Sequence, residues 1–252
     1  MRSPLNKRLF RELRGEFGKY LVIFILMTLT IGMVSGFLVA DGSMIQAYEE
    51  SFEKYNIENG HFRTEKKMNN AQIQDIEDLG IKLYENYYVE EALTNGSTMR
   101  IFKNRDEVNK VCLMKGKMPE KPGEIGIDRM YADNNDLSVG DEIESGGHTW
   151  KITGLVALSD YSALFSNNND SMFDSVKFGV SVVCPEEFDS YKADQLNYSY
   201  AWKYNTEPKN EKAEKDISED LMEDVAKEVT LEEFVPRYTN QAIIFTGDDM
   251  GG

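Results

Sequence analysis

Cysteine and histidine are nearly missing, with two of each in 252 residues. Cys112 and Cys184 cannot make a disulfide-rich scaffold, in which several bridges replace a large core. The sequence leaves their redox state open. Neither His61 nor His148 has a cysteine or carboxylate beside it at zinc-ligand spacing, so no metal site is expected. Phosphate-binding glycines are missing too. Around Gly18-Lys19, Leu13 stands where the first glycine of a nucleotide loop belongs, and no Ser or Thr follows the lysine. There is no Gly-x-Ser-x-Gly elbow or comparable nucleophile. The Asn/Asp stretches 133–136 and 167–170 lack the alternating oxygen ligands and central glycine of a calcium loop, and read as turns. No enzyme and no cofactor are expected.

Long apolar runs are scarce as well, but there is one. Tyr20 to Ala40 is 21 residues without a charge, which as a helix spans about 30 Å, the thickness of a bilayer's hydrocarbon core. Six basic residues (Arg2, Lys7, Arg8, Arg11, Arg14, Lys19) precede it against two acidic ones (Glu12, Glu16). That bias holds the N-terminus in the cytoplasm and sends residue 41 onward outside. A signal peptide would have a shorter apolar core and a small-x-small cleavage site. Here a cut after Ala40 meets Leu38 at the position that wants a small residue, so an anchor is expected over 19–40. Gly32 and Gly36, with Ser35 beside them, have the spacing that lets a second membrane helix approach closely. Before the anchor, Leu5, Leu9 and Leu13 recur every four residues with Phe10 and Phe17 near that face, among arginines. This predicts an amphipathic helix over 1–18, lying on the inner leaflet.

The net charge of the whole chain is −16, and residues 41–252 alone carry −20. It argues against nucleic acid and anionic lipid as ligands of the outer region, and is compatible with cationic ones. Met44, Tyr48 and Phe52 predict that the membrane helix continues as a stalk over 41–60, with Gly60 as its stop. A short helix follows, with Asn70 as cap, Ile73, Ile76 and Leu79 on one face, and Gly80 at its end. "IKLYENYYVEEAL" and "STMRIFKN" read as strands joined at Asn95-Gly96. Gly146-Gly147 turns a second hairpin, with Trp150, Ile152, Gly154 and Val156 on one face. "VKFGVSVVC" reads as a strand, "PEEFDSY" as a helix opened by Pro185, and "LFSNNNDSMFDS" as a loop. In "LNYSYAWKY" the alternation is strict and puts Tyr198, Tyr200, Trp202 and Tyr204 on one face, either packed against a helix or forming a substrate surface. A charged helix with a thin stripe at Ala213, Ile217, Leu221 and Val225 follows. Strands and helices interleave without a regular βαβα cadence, so residues 61–252 are expected to be an α+β domain.

One stretch carries a longer pattern: Gly116 and Pro119, then Pro122, Gly123, Glu124 and Ile125, Ala132, Leu137, Gly140 and Asp141, and finally Ile152 with Gly154. This resembles the extracytoplasmic core domain of FtsX-like, MacB-type ABC transporter permeases. The basic helix, single membrane helix, stalk and outer domain resemble the way such permeases begin. Residues 157–235 fit less closely and read as a candidate inserted subdomain.

The resemblance implies a permease subunit whose stalk and outer domain move when a separate ABC ATPase subunit hydrolyses ATP, driving export or membrane extraction. It also implies a second permease copy or paralogue as partner, and a motif that is structural rather than catalytic. The further membrane helices of such permeases are not in the sequence, and "TGDDMGG" neither caps a fold nor anchors one. The chain is therefore expected to be an amino-terminal part of a longer permease. The alternative reading is a single-pass membrane-anchored sensor that binds cationic peptides or lipids.

Overall fold

The computed structural model describes residues 14–245. The amphipathic helix expected over 1–18 falls mostly outside the described residues, and so does the glycine-rich tail. The chain forms two compact units, one up to Tyr48 and one from Glu49 onward.

A single helix, α1 (Phe17–Lys54), carries the apolar run. Its stretch Phe17–Gly36 has a mean hydropathy of 2.0 and no buried residue, and is long and apolar enough to cross a membrane. Its two threonine hydroxyls are satisfied locally. The hydroxyls of Thr28 and Thr30 each donate to the carbonyl four residues back, Phe24 and Leu26, at 2.8 Å, which removes the cost of an unpaired group in hydrocarbon. The helix stops at Lys54, short of the expected Gly60. Asn56 adopts a left-handed φ of 48°, a conformation asparagine tolerates better than most residues. The Ile57 amide then closes the end by donating to Phe52 O at 3.0 Å. Gly60 instead opens the first strand.

The second unit is α+β, as its strand and helix patterns imply. A four-stranded antiparallel sheet has the order β11–β1–β10–β2, with β1 Gly60–Thr64, β2 Ile81–Glu85, β10 Tyr198–Tyr204 and β11 Leu231–Pro236. A mixed sheet runs β3–β4–β9–β6–β8–β5, with β7 paired to β8. Its strands are β3 Tyr88–Ala92, β4 Thr98–Lys103, β5 Val111–Gly116, β6 Glu124–Asp128, β7 Glu142–Ser145, β8 His148–Leu158 and β9 Phe178–Val183. The single run expected over "IKLYENYYVEEAL" is thus two strands in two sheets, β2 and β3, parted at Asn86-Tyr87. Both predicted hairpins form, β3–β4 and β7–β8.

Helices α2 (Asn70–Glu77) and α5 (Glu211–Glu228) share one core with the small sheet. The cap of α2 is Asn69 rather than Asn70: its side chain accepts from the Ala71 and Gln72 amides, and Gln72 reaches back to the Asn69 amide at 3.0 Å. Reciprocal capping of this kind satisfies two orphan donors at once. Under these helices Trp202 stacks on Phe234 at 4.8 Å and Phe62 on Tyr200 at 5.6 Å. Ile76, Leu221 and Val225 complete the layer. Full burial of each such side chain contributes about 1.5–3 kcal/mol. In the large sheet, α3 (Arg129–Asn134) packs beside β6, β8 and β9, and α4 (Pro185–Phe188) follows β9.

Residues 157–235, read from the sequence as a candidate insertion, supply strands to both sheets. All six residues of β9 are buried and lie between β4 and β6. A strand apolar on both faces belongs to a sheet interior.

Candidate functional site

The motif residues come together around the first half of β8. Gly116 ends β5 directly opposite Gly154 on β8. At Gly116, φ is 80° and a Cβ would strike Thr153 O; at Gly154 one would strike Lys117 O. The ladder closes here only because both side chains are absent. Beyond it, Lys117 N donates to Thr153 O at 2.9 Å, Lys151 N to Gly123 O at 2.8 Å and Gly140 N to Ile152 O at 2.8 Å. Asp141 Oδ2 accepts from Ser138 N at 2.8 Å. Glu124 Oε2 accepts from Glu120 N at 2.9 Å, and that bond, with Lys117 nearby, holds its carboxyl below the usual range. Pro119 is buried in the connection and Ile125 lies in the core.

The aromatic stripe is divided. Tyr200, Trp202 and Tyr204 are buried, and only Tyr198 is half-exposed. Tyr200 accepts from Met68 N at 2.8 Å and from the Tyr87 hydroxyl at 2.7 Å. Of the two readings left open by the alternation, this burial matches packing against helices. At Gly32 and Gly36 an added Cβ would meet no atom within 4 Å.

Two features were not visible in the sequence. The first is a clamp on the chain leaving α1. Lys110 N donates to Tyr55 O at 2.9 Å, Asn109 N to Asn56 O at 3.1 Å, and Lys203 Nζ to Ile57 O at 3.0 Å. Asn59 is held on both sides, its amide donating to Trp202 O at 2.8 Å and its carbonyl accepting from Arg237 N at 2.8 Å. At the centre lies Glu58, wholly buried. Its Oε2 accepts from Asn109 Nδ2 at 2.6 Å, its own amide donates to Asn109 Oδ1 at 2.9 Å, and its Oε1 accepts from His61 Nδ1 at 2.6 Å. Behind Asn109, Arg105 makes a two-bond pair with Asp160, both bonds 2.7 Å, and a third bond to Asn86 at 2.9 Å. Burial disfavours charge on both Glu58 and His61. The pairing outweighs it, so Glu58 is held below the usual carboxylate range and His61 above the usual imidazole range.

The second feature is a cleft of about 780 Å³ beside the clamp. His61 and Asp160 belong to its wall, so the clamp is reached through it. Arg100 crosses the wall over the Tyr88 ring at 4.5 Å, bonded to Glu90 at 2.6 Å, the Tyr161 hydroxyl at 2.7 Å and Ser166 O at 2.8 Å. Carboxylates outnumber cations on this wall: Glu90, Asp160, Asp170, Asp174, Glu232 and Glu233 stand against Arg63, Arg100, Lys177 and His61. No local pattern announces either feature, because the partners lie far apart in the chain. Both cysteines are free thiols, Cys184 buried and Cys112 half-exposed.

No protein-family model matches the chain, and no curated protein matches it. Among solved structures, the periplasmic region of MacB from Actinobacillus actinomycetemcomitans is similar with a TM-score of 0.38 at 11% identity, over 77% of this chain and 93% of that one. The extracellular domain of the noncanonic ABC-type transporter YknZ from Gram-positive bacteria is similar with a TM-score of 0.35 at 11% identity, over 69% and 98%. A superposition at this level bears on neither activity nor partners.

Proposed function

We propose that the chain is the amino-terminal part of an ABC transporter permease of the FtsX/MacB type. Its helix Phe17–Gly36 crosses the membrane with the N-terminus inside, and its α+β domain stands outside. The observation that carries this reading is the pairing of β1 with β11, in which Gly60 lies opposite Pro236. The domain's first and last strands therefore lie side by side, and the chain after Pro236 stays on the domain, where Ala242 O accepts from Ser162 N at 2.7 Å. Arg237 links the end of β11 to the chain entering β1, its amide bonded to Asn59 O and its guanidinium 5.3 Å from the Phe52 ring. A domain tied off in this way suits insertion between two membrane-directed segments. The motif residues supply its rigid frame, and the clamp would pass displacement of α1 into the sheets. ATP hydrolysis belongs to a separate partner subunit, and Gly32 and Gly36 face a second membrane helix.

The test is isolation of the tagged chain from its own membranes. Partner subunits are expected to accompany the wild type and to be lost or weakened with Gly32→Leu or Gly36→Leu. Unchanged recovery with both variants would sink the helix-packing part of the reading. The cleft's surplus of carboxylates favours the second reading, a membrane-anchored binding module for cationic peptides. That reading requires no partner subunits.

A further inference from the structure

The buried charges at the clamp do not balance unless His61 carries a proton. Glu58 and Asp160 are two carboxylates with almost no solvent access, and Arg105 is the cation bonded to Asp160. From β11, Glu233 adds a further negative field and is 3.7 Å from Arg63. Lys203, on β10, acts on Glu58 more remotely and is shared with Glu207 at 3.4 Å. The one group that can bring a compensating charge into contact with Glu58 is His61, at 2.6 Å. Its ring is also the exposed member of the pair, with 24% of the side chain accessible against 0% for Glu58. A proton can reach or leave the imidazole from the cleft while the carboxylate stays dry.

We propose that His61 and Glu58 form a proton-operated latch that sets how firmly the chain leaving α1 is held to the outer domain. With His61 charged, Glu58 is neutralised and keeps Asn109 in place. Asn109 in turn accepts from the Glu58 amide and donates its own amide to Asn56. When the imidazole loses its proton it keeps one N–H that can still donate to Glu58, but the compensating charge is gone: Glu58 is then a buried carboxylate held by neutral donors, with Arg105 acting on it only from its pair with Asp160. An uncompensated buried carboxylate recruits water or rearranges, and the route for water runs through the cleft past His61. The sign follows from the directions of the two shifts. The histidine contribution is complete below its ordinary value of 6.5 and is lost as pH rises through its higher folded value. The Glu58 contribution is complete above 4.5 and is lost as pH falls through its lower folded value. The latch is therefore closed in mildly acidic surroundings and opens on the alkaline side.

The experiment is hydrogen–deuterium exchange on the full chain in detergent, corrected for intrinsic rates and compared between about pH 6 and about pH 9. Protection of the Asn109 and Lys110 amides is expected to fall by at least about fivefold relative to β9. His61→Gln should show the low level at both pH values, and His148→Gln should behave as wild type. Equal protection at the two pH values in wild type, or an equal fall in His61→Gln, overturns the proposal. If His61→Gln does not fold, imidazole NMR of the wild type decides instead. The His61 titration midpoint must coincide with the loss of protection, and a mismatch overturns the latch. None of these readings depends on a partner subunit, so the latch can fail while the permease reading stands, and the reverse.

Discussion

Gly116 and Gly154 stand opposite each other across the β5–β8 ladder, and neither could carry a Cβ: one at Gly116 would strike Thr153 O on β8, and one at Gly154 would strike Lys117 O just past β5. The chain between them carries Gly123 and Gly140, whose backbones are left-handed like that of Gly116, with φ of 80° and 106°, but which have open space around them. The four motif glycines therefore separate into two kinds.

Alanine at Gly123 or Gly140 should cost only the left-handed strain, about 1–2 kcal/mol. Alanine at Gly116 adds a collision with Thr153 O and should cost more than about 3 kcal/mol, with Gly154→Ala close behind. Urea unfolding of the full chain, followed by the fluorescence of the two buried tryptophans, Trp150 and Trp202, gives the ranking. Equal costs at all four positions would remove the structural account of the motif.

Arg105 and Asp160 are 7% and 5% exposed as side chains. Removing one partner strands the other in a dry site, so Asp160→Asn should destabilise by about 3–5 kcal/mol. In a double-mutant cycle, adding Arg105→Met should restore part of the loss. Additive losses would show that the pair is not coupled.

Asp128 caps α3, with Oδ1 accepting from Met130 N at 2.7 Å and Tyr131 N at 3.2 Å. Burial nevertheless pushes its carboxyl up from 3.8 to about 6. The folded state thus holds the proton more tightly than the unfolded state, and the stability this confers is complete below 3.8 and lost as pH rises through about 6. Asp128→Asn keeps an acceptor for the cap and sheds the charge. It should be more stable than wild type by about 1–2 kcal/mol near pH 8 and equal to it near pH 4. Thermal melts at the two pH values test this, and a variant less stable at both would show that the charge serves the cap.

Cys112 is half-exposed on β5, whereas Cys184 is buried at the start of α4. In intact cells a membrane-impermeant maleimide should label the chain at Cys112 alone. Labelling that requires the cells to be broken would reverse the orientation inferred from the basic flank.

Elements with a local cause were legible. The hairpins announce themselves in Asn95-Gly96 and Gly146-Gly147, β10 in its alternation, and α5 in its stripe. The boundary between β2 and β3 was not, because both halves of that run alternate well and only the register of each with its own sheet parts them. The α1 stop was misplaced by several residues, since Asn56 turns the chain and Gly60 does not. The clamp was illegible for a different reason. Glu58 and Asn109 are 51 residues apart, and Asn109 and Asp160 another 51, so no window of sequence contains the pair. His61 had a carboxylate three positions back in Glu58, but that spacing matters only once the chain has left α1 and entered β1, where Asn109 and Asp160 come up against the pair.

The most direct measurement is ATP hydrolysis in the material that co-purifies with the tagged chain from its native membranes. The account predicts a co-eluting ATPase subunit whose hydrolysis changes when the clamp is broken by Asn109→Ala. A chain that elutes without an ATPase, or with one indifferent to the clamp, would contradict it.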